Sequence, residues 1–399
     1  MAKPLLSIVV PTHNRSDYAI YSIQSILSFD SPDIELIVTD TSENADLATA
    51  ASKITDTRLV YRHVEDSLSM IENHNLAMSL ATGKYVCLIG DDDTITSEAL
   101  SAARWAATHD IEIITPIVVA NYAWPDFKSK YLGSSHAGRL YIRKGFGNVS
   151  LRESKKDLLV ALKRGALGTE GLPKIYHGIV RRDLMETIKA RSGAYFHGSS
   201  PDVSGAVSLA IVSSSYIEID YPLTLPGASG KSNTGRSALK KHKGTLENDS
   251  HTKRFKNLDW PSVIPRFTSV ETVWAQSVYQ TIKQMDVTLL KDYNLFEIYA
   301  ACLLRHQDFR SAVLNAMQAL KDERDLSNKE FYGCLASALV HNASITLTAF
   351  LKRAMKPTAA GGRDFIENNR NIQEAQTALA AELGMRGSSF EKIISSFAA

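Results

Sequence analysis

YVCLIGDDD, residues 85–93, sets three consecutive carboxylates, Asp91, Asp92 and Asp93, behind an apolar run and a glycine. Carboxylates this close repel one another, and an apolar core offers nothing to neutralise them. A bound cation is the simplest counter-charge, so the turn reads as a metal site. A plainer alternative is an Asp-rich turn that caps a helix beginning near Ser97, or a structural calcium site.

Around this turn, strand and helix patterns alternate. Leu5 to Val10 is a short β-branched run ended by Pro11, and Ser16 or Asp17 can cap a helix with Ile20, Ile23, Ile26 and Leu27 on one face. Ile34 to Val38 leads to Asp40, and Arg58 to His63 gives a third strand. Ser69 to Ala81 reads as a helix closed by Gly83, Ser97 to Thr108 as another, and Ile111 to Ala120 as a further strand. Strands buried on both faces and alternating with helices imply an α/β fold with a mostly parallel, doubly wound sheet. Its ligand crevice lies beyond the carboxyl ends of the strands, where Thr12, Asn14, Asp40 and Asp91 to Asp93 all fall.

Composition sets the bounds. With 399 residues the chain has room for two or three domains, and its 45 basic and 43 acidic residues nearly cancel, which argues against a dedicated nucleic-acid binder. Cys87, Cys302 and Cys334 suit a reducing cytoplasm better than a disulfide framework. The N-terminus lacks signal-peptide features, and no stretch reads as the ~20 apolar residues of a spanning helix. The expectation is a soluble, cytoplasmic protein.

SIVVPTHNR (7–15), ELIVTDTSEN (35–44) and ENHNLAMSLATGKYVCLIGDDD (72–93) resemble the nucleotide-binding stretches of the family 2 nucleotide-sugar glycosyltransferases, which have the GT-A fold. The resemblance extends to about residue 235. It implies that Pro11, Thr12, Asn14 and Arg15 belong to the loop lining the base and ribose, with Asp40 accepting hydrogen bonds there. Asp40-Thr41-Ser42 departs from the usual pair of acidic residues and glycine, which leaves the base less defined. Asn75, Asp91 and Asp92 would hold the donor diphosphate. Asp91 and Asp93 give the D-x-D spacing for Mn2+ or Mg2+, and Asp92 substitutes for either in another register. Such an ion neutralises the charge on a departing diphosphate without proton transfer.

An inverting transfer also needs a base for the acceptor hydroxyl. In YFHGSSPDVSGA (195–206), Ser200 is a good N-cap, Pro201 suits the first helical position and Asp202 sits in the first turn. On local grounds Asp202 serves the helix dipole. The resemblance implies instead that it is the catalytic base, with His197 as rival. His177, in PKIYHGIVRR (173–182), could approach the acceptor, but reads foremost as a strand histidine satisfied by backbone. Leu225 to Arg236, LPGASGKSNTGR, reads either as a mobile loop folding over a diphosphate or as a flexible connector.

The domain expectation is a catalytic unit over 1–236, with a nucleotide-sugar part to about 120 and an acceptor part over 121–236. A basic linker with Lys240, Lys241, Lys243, Lys253 and Arg254 follows over 237–262. The remainder, 263–399, reads as an all-helical domain with Val270, Val273, Trp274, Val278 and Ile282 on one face and a break at Pro357, suited to acceptor binding or homo-oligomer formation. Leu351 to Lys356 could lie on anionic lipid as a peripheral membrane contact, although a solvated helix end has the same composition. The reading is an inverting, metal-dependent glycosyltransferase of bacterial surface-polysaccharide type, using a nucleotide sugar, foremost a UDP-sugar, and a saccharide or lipid-linked acceptor. The alternatives are a nucleotidyltransferase, whose glycine-rich N-terminal loop PTHNRSDY lacks, and a catalytically silent glycan-binding or scaffold protein.

Overall fold

The computed structural model describes residues 3–240, 243–249, 252–255, 258–355, 358 and 360–398. Lys241, Lys356 and Pro357 lie outside them. At the centre is a sheet of eight strands: β1 Leu6–Thr12, β2 Ile34–Asp40, β3 Leu59–His63, β4 Tyr85–Leu88, β5 Ile113–Pro116, β6 Val149–Glu153, β7 Ile179–Arg181 and β8 Ser215–Ile219. The order across it is β3-β2-β1-β4-β7-β5-β8-β6. β1 is parallel to β2 and β4, β2 to β3, and β5 to β8, while β7 and β6 run antiparallel to their neighbours.

Every residue of β1, β2 and β4 is buried, which is why their sequences are near-continuous apolar runs. From β1 the order runs to β2 and β3 on one side and to β4 on the other, so a crevice opens between the carboxyl ends of β1 and β4. The helix Met70–Ser79 starts at Ser69, whose hydroxyl accepts from the Glu72 N–H while the Glu72 carboxylate accepts from the Ser69 N–H. The expected strand over 111–120 is split. β5 ends at Pro116, which has no N–H to extend a ladder. Ala120–Ala123 then joins a second sheet with Gly227–Ala228, Arg139–Ile142 and Asp364–Ile366.

After the linker, Val270–Met285, Leu295–Arg305, Arg310–Glu323 and Asn328–Ala354 build a helical core together with Pro201–Val212 from the catalytic region. The chain then returns to the sheet. Asp364–Ile366 pairs with Arg139–Ile142, and the helices Ile372–Met385 and Phe390–Ala398 put Ile372, Leu379, Leu383, Phe390 and Ile394 into the core that holds Leu6, Ile8 and Leu36. Helical spacing shows that a face is apolar. It does not show which core the face meets.

Asn328–Ala354 corrects one expectation from sequence: at 27 residues it is long and apolar enough to cross a membrane by length and composition. Its Phe331, Ala338 and Asn342 are buried against the helical core, whereas residues 343–355 are exposed throughout.

Phe390 is fully buried, with its ring 6.1 Å from Trp105. Phe390→Ala is expected to lower the urea-unfolding free energy by about 3 kcal/mol or more and to shift Trp105 fluorescence. An unchanged midpoint would separate the last helix from the first core.

Candidate functional site

The carboxyl ends of β1 and β4 meet at the acidic turn. Thr12, the last residue of β1, donates its hydroxyl to Asp91 Oδ2 at 2.6 Å. Asp91, Asp92 and Asp93 are 3, 4 and 2% exposed, so bulk solvent does not supply their counter-charge. Arg15 supplies it. Its Nη1 lies 2.8 Å from Asp91 Oδ1 and its Nη2 lies 2.8 Å from Asp92 Oδ2. The first contact is one of charge alone, because Asp91 Oδ1 makes no hydrogen bond of acceptable geometry. Burial opposes the Arg15 charge, and Asp91 and Asp92 outweigh it, holding the guanidinium pKa above its ordinary value. Burial also lifts Asp91 to about 6 against the pull of Arg15, and burial with the Asp92 charge lifts Asp93 to about 7.

Asp93, expected to share a metal with Asp91, is turned elsewhere. Its Oδ1 accepts from the Gly227 N–H at 2.7 Å, and its Oδ2 accepts from the Gly90 N–H at 2.7 Å and the Tyr176 hydroxyl at 3.0 Å. Asp92 Oδ2 accepts from the Ser229 hydroxyl at 2.7 Å, and Arg15 donates to that same hydroxyl at 2.5 Å. The Gly/Ser stretch after Leu225, read from sequence as a mobile loop or connector, is therefore tied to the acidic turn. Gly227 is required there, since a Cβ would sit 1.9 Å from the Asp92 carbonyl oxygen.

The expected nucleotide residues gather beside this cluster. Asp40 is fully buried at the end of β2, where its Oδ2 accepts from Tyr61 at 2.7 Å and its Oδ1 from the Ser42 N–H at 2.8 Å and the Ser42 hydroxyl. Asn14 takes a left-handed backbone with φ 55°. Its N–H donates to Ser42 Oγ at 2.7 Å, and its Oδ1 accepts from the Glu43 N–H at 2.9 Å. Thr41 and Ser42, the departure from the family pattern, thus lock the Pro11 to Asn14 loop against β2. Asn75 is placed differently from the expectation. Its amide bridges the backbone of Tyr195, Phe196 and Ile71, joining the Met70–Ser79 helix to the segment before Asp202.

Asp202 opens the Pro201–Val212 helix. Ser200 does not cap that helix by side chain and donates its hydroxyl to Asp202 instead. Asp202 acts electrostatically on Tyr176, the residue bonded to Asp93, and on Lys174, whose pKa burial lowers. The helix start and the acidic turn thus lie within electrostatic reach of the same tyrosine. His197 faces away, with Nε2 2.8 Å from Ser192 Oγ and its pKa lowered by burial. It lines a separate cavity of about 320 Å³ with Glu72, Phe255 and Gln276. His177 is not a strand residue: its φ is 67°, its Nδ1 is buried without a partner and its Nε2 is 3.4 Å from Asp93 Oδ2. Burial pushes its pKa down to about 3, so the ring is neutral near pH 7.

Among the described residues no three His, Cys, Asp or Glu side chains converge into a metal cage. Asp91 Oδ1 and Asp92 Oδ2 nevertheless converge on one cationic group, Arg15. Magnesium and manganese keep waters, take phosphate oxygens and need only one or two protein carboxylates. The pair fits such an ion once the guanidinium yields those two oxygens.

Residues 7–150 match the model of Glycosyl transferase family 2. The protein of Escherichia coli (strain K12) named "Putative colanic acid biosynthesis glycosyl transferase WcaA" is 30% identical over 152 residues, 35% of this chain and 53% of its own length. The Campylobacter jejuni GalNAc(5)-diNAcBac-PP-undecaprenol beta-1,3-glucosyltransferase is 33% identical over 101 residues, 25% of this chain and 33% of its own. The chain therefore matches about half or less of the length of these relatives. Among solved structures, S. aureus TarS 1-349 in complex with UDP-GlcNAc has a TM-score of 0.45 and 15% identity, covering 97% of this chain and 93% of that one.

Removing one partner of a buried ion pair leaves an uncompensated charge. Arg15→Met is expected to cost about 3–5 kcal/mol in urea unfolding, and Arg15→Met with Asp92→Asn to recover part of that loss. Equal midpoints for wild type and Arg15→Met would show that the pair is not formed.

Proposed function

We propose that this protein, whose residues 7–150 match the model of Glycosyl transferase family 2, transfers a sugar, with inversion, from a nucleoside diphosphate sugar to a hydroxyl of a glycan or lipid-linked saccharide in polysaccharide assembly. The observation that carries this reading is the convergence of Asp91 and Asp92 on one cation at the crevice between β1 and β4. The loop Pro11 to Arg15 and Asp40 would face the nucleoside, which we take to be uridine. An undecaprenyl diphosphate saccharide, named for the Campylobacter relative, is the model for the acceptor, met at the cytoplasmic face of a membrane.

Mn2+ or Mg2+, held by Asp91 and Asp92, would supply positive charge to the departing diphosphate. The chain's own groups do the rest. Arg15, released from the carboxylates, stays close enough to meet a phosphate oxygen. Asp202 accepts the proton of the attacking hydroxyl as the new glycosidic bond acidifies it, and the Gly227 to Ser229 strap covers the acidic turn against water. Asp93 holds the strap and Tyr176 in place.

Asp202→Asn is expected to leave the affinity for UDP unchanged within about twofold and to reduce transfer by a factor of at least about 10². Full turnover in that variant, with product anomers followed by NMR, would remove Asp202 from the role of base. A silent saccharide-binding protein is the second reading, favoured by Arg15 itself standing as the counter-charge of Asp91 and Asp92. Calorimetric titration of UDP with and without Mn2+ separates the two. Metal-enhanced binding that Asp92→Ala abolishes supports the transferase, and the absence of any UDP binding supports the silent protein.

A further inference from the structure

The helix Asn328–Ala354 carries an apolar surface that the described fold leaves uncovered. From Phe331 to Leu351 it has no Asp, Glu, Lys or Arg. Val340, Ile345, Leu347, Phe350, Leu351 and Met355 are 71, 47, 59, 67, 52 and 74% exposed. On a helical projection Val340, Leu347, Leu351 and Met355 share one stripe, while Phe350 and Ile345 widen it on either side. That arc is broader than the a/d seam through which two helices pair, so a second copy of the helix would cover only part of it.

Three hydroxyls on its exposed half are bonded within the helix. Ser344 Oγ donates to the His341 carbonyl at 2.7 Å, Thr346 Oγ1 to Asn342 at 2.8 Å and Thr348 Oγ1 to Ser344 at 2.8 Å. Hydroxyls bonded this way enter a low-dielectric medium without leaving an unpaired donor. The end of the helix is basic. Lys352 and Arg353 lie in its last turn, and Arg363 beside them is held inside the protein by Asn121 Oδ1 at 2.6 Å, the Ala360 carbonyl at 3.0 Å and the Tyr141 ring. Arg139 nearby is already matched by Glu367 at 2.6 Å.

We propose that the exposed half of this helix lies in the headgroup–acyl boundary of an anionic lipid bilayer, with Lys352 and Arg353 at its end meeting lipid phosphates. The helix does not span. Phe331, Ala338 and Asn342 are held in the protein, and the chain is back in the second sheet at Asp364–Ile366. At 27 residues the helix is about 40 Å long, and it bridges the helical core and the sheet while presenting its outer side to the lipid. This docking is independent of the transfer reaction.

The test is co-sedimentation of the full chain with vesicles of phosphatidylcholine alone or mixed with phosphatidylglycerol. Binding to the anionic vesicles is expected, falling with salt and by about tenfold or more in Leu347→Glu/Phe350→Glu. Lys352→Glu/Arg353→Glu is expected to lower the preference for phosphatidylglycerol. Circular dichroism and UDP titration of the same variants show whether fold and donor site remain. The proposal is overturned if the protein stays in the supernatant, if Leu347→Glu/Phe350→Glu binds as the wild type does, or if sedimentation equilibrium shows a dimer that this variant converts to monomer.

Discussion

Two buried carboxylates facing one guanidinium set the geometry of the crevice. Arg15 follows β1, Asp91 and Asp92 follow β4, and Ser229 belongs to the strap beyond Leu225, so one cationic group joins three distant parts of the chain. A low-dielectric setting makes such a cluster stable only while its charges are matched. Two carboxylates already outnumber the single guanidinium, and Asp93, next in sequence, is bonded instead to the Gly227 and Gly90 N–H groups and the Tyr176 hydroxyl.

The central sheet was legible because its signals are local. Unbroken Ile and Val runs, the breaks at Pro11 and Gly83, and the Ser69–Glu72 capping box each depend on neighbours a few residues apart. The carboxyl-end placement of Thr12, Asn14, Asp40 and the acidic turn followed from strand direction. What escaped depends on partners far along the chain. Arg15 stood inside the recognised motif, yet nothing local indicates that its guanidinium turns to residues 91 and 92. Gly227 and Ser229 looked like a flexible segment because their composition is flexible; their order comes from bonds to Asp93 and Asp92. Asn75 has the residue type of a phosphate contact and serves as a backbone bridge.

The helical region shows the same limit on a larger scale. An apolar stripe predicts burial, and most stripes here are buried, but in different places. Val278 and Ile282 meet the helical core shared with Pro201–Val212, Leu379 and Phe390 meet the first core, and the apolar side chains of Asn328–Ala354 beyond Asn342 stay exposed. Because the Pro201–Val212 helix is packed by Val270–Met285, with Ser277 Oγ accepting from the Ser199 and Ser200 N–H groups, the position of Asp202 depends on residues well outside the segment that carries the family match.

The packing of Ile372, Leu379, Leu383 and Phe390 beside Leu6 and Ile8 has a consequence for biogenesis. A ribosome emits β1 long before it emits the helices that finish covering that sheet's surroundings. Until those helices are made the apolar layer is incomplete, and its closure needs contacts between residues far apart in sequence, the slowest kind to form. Formation of this core is therefore expected to wait for contacts of long sequence separation.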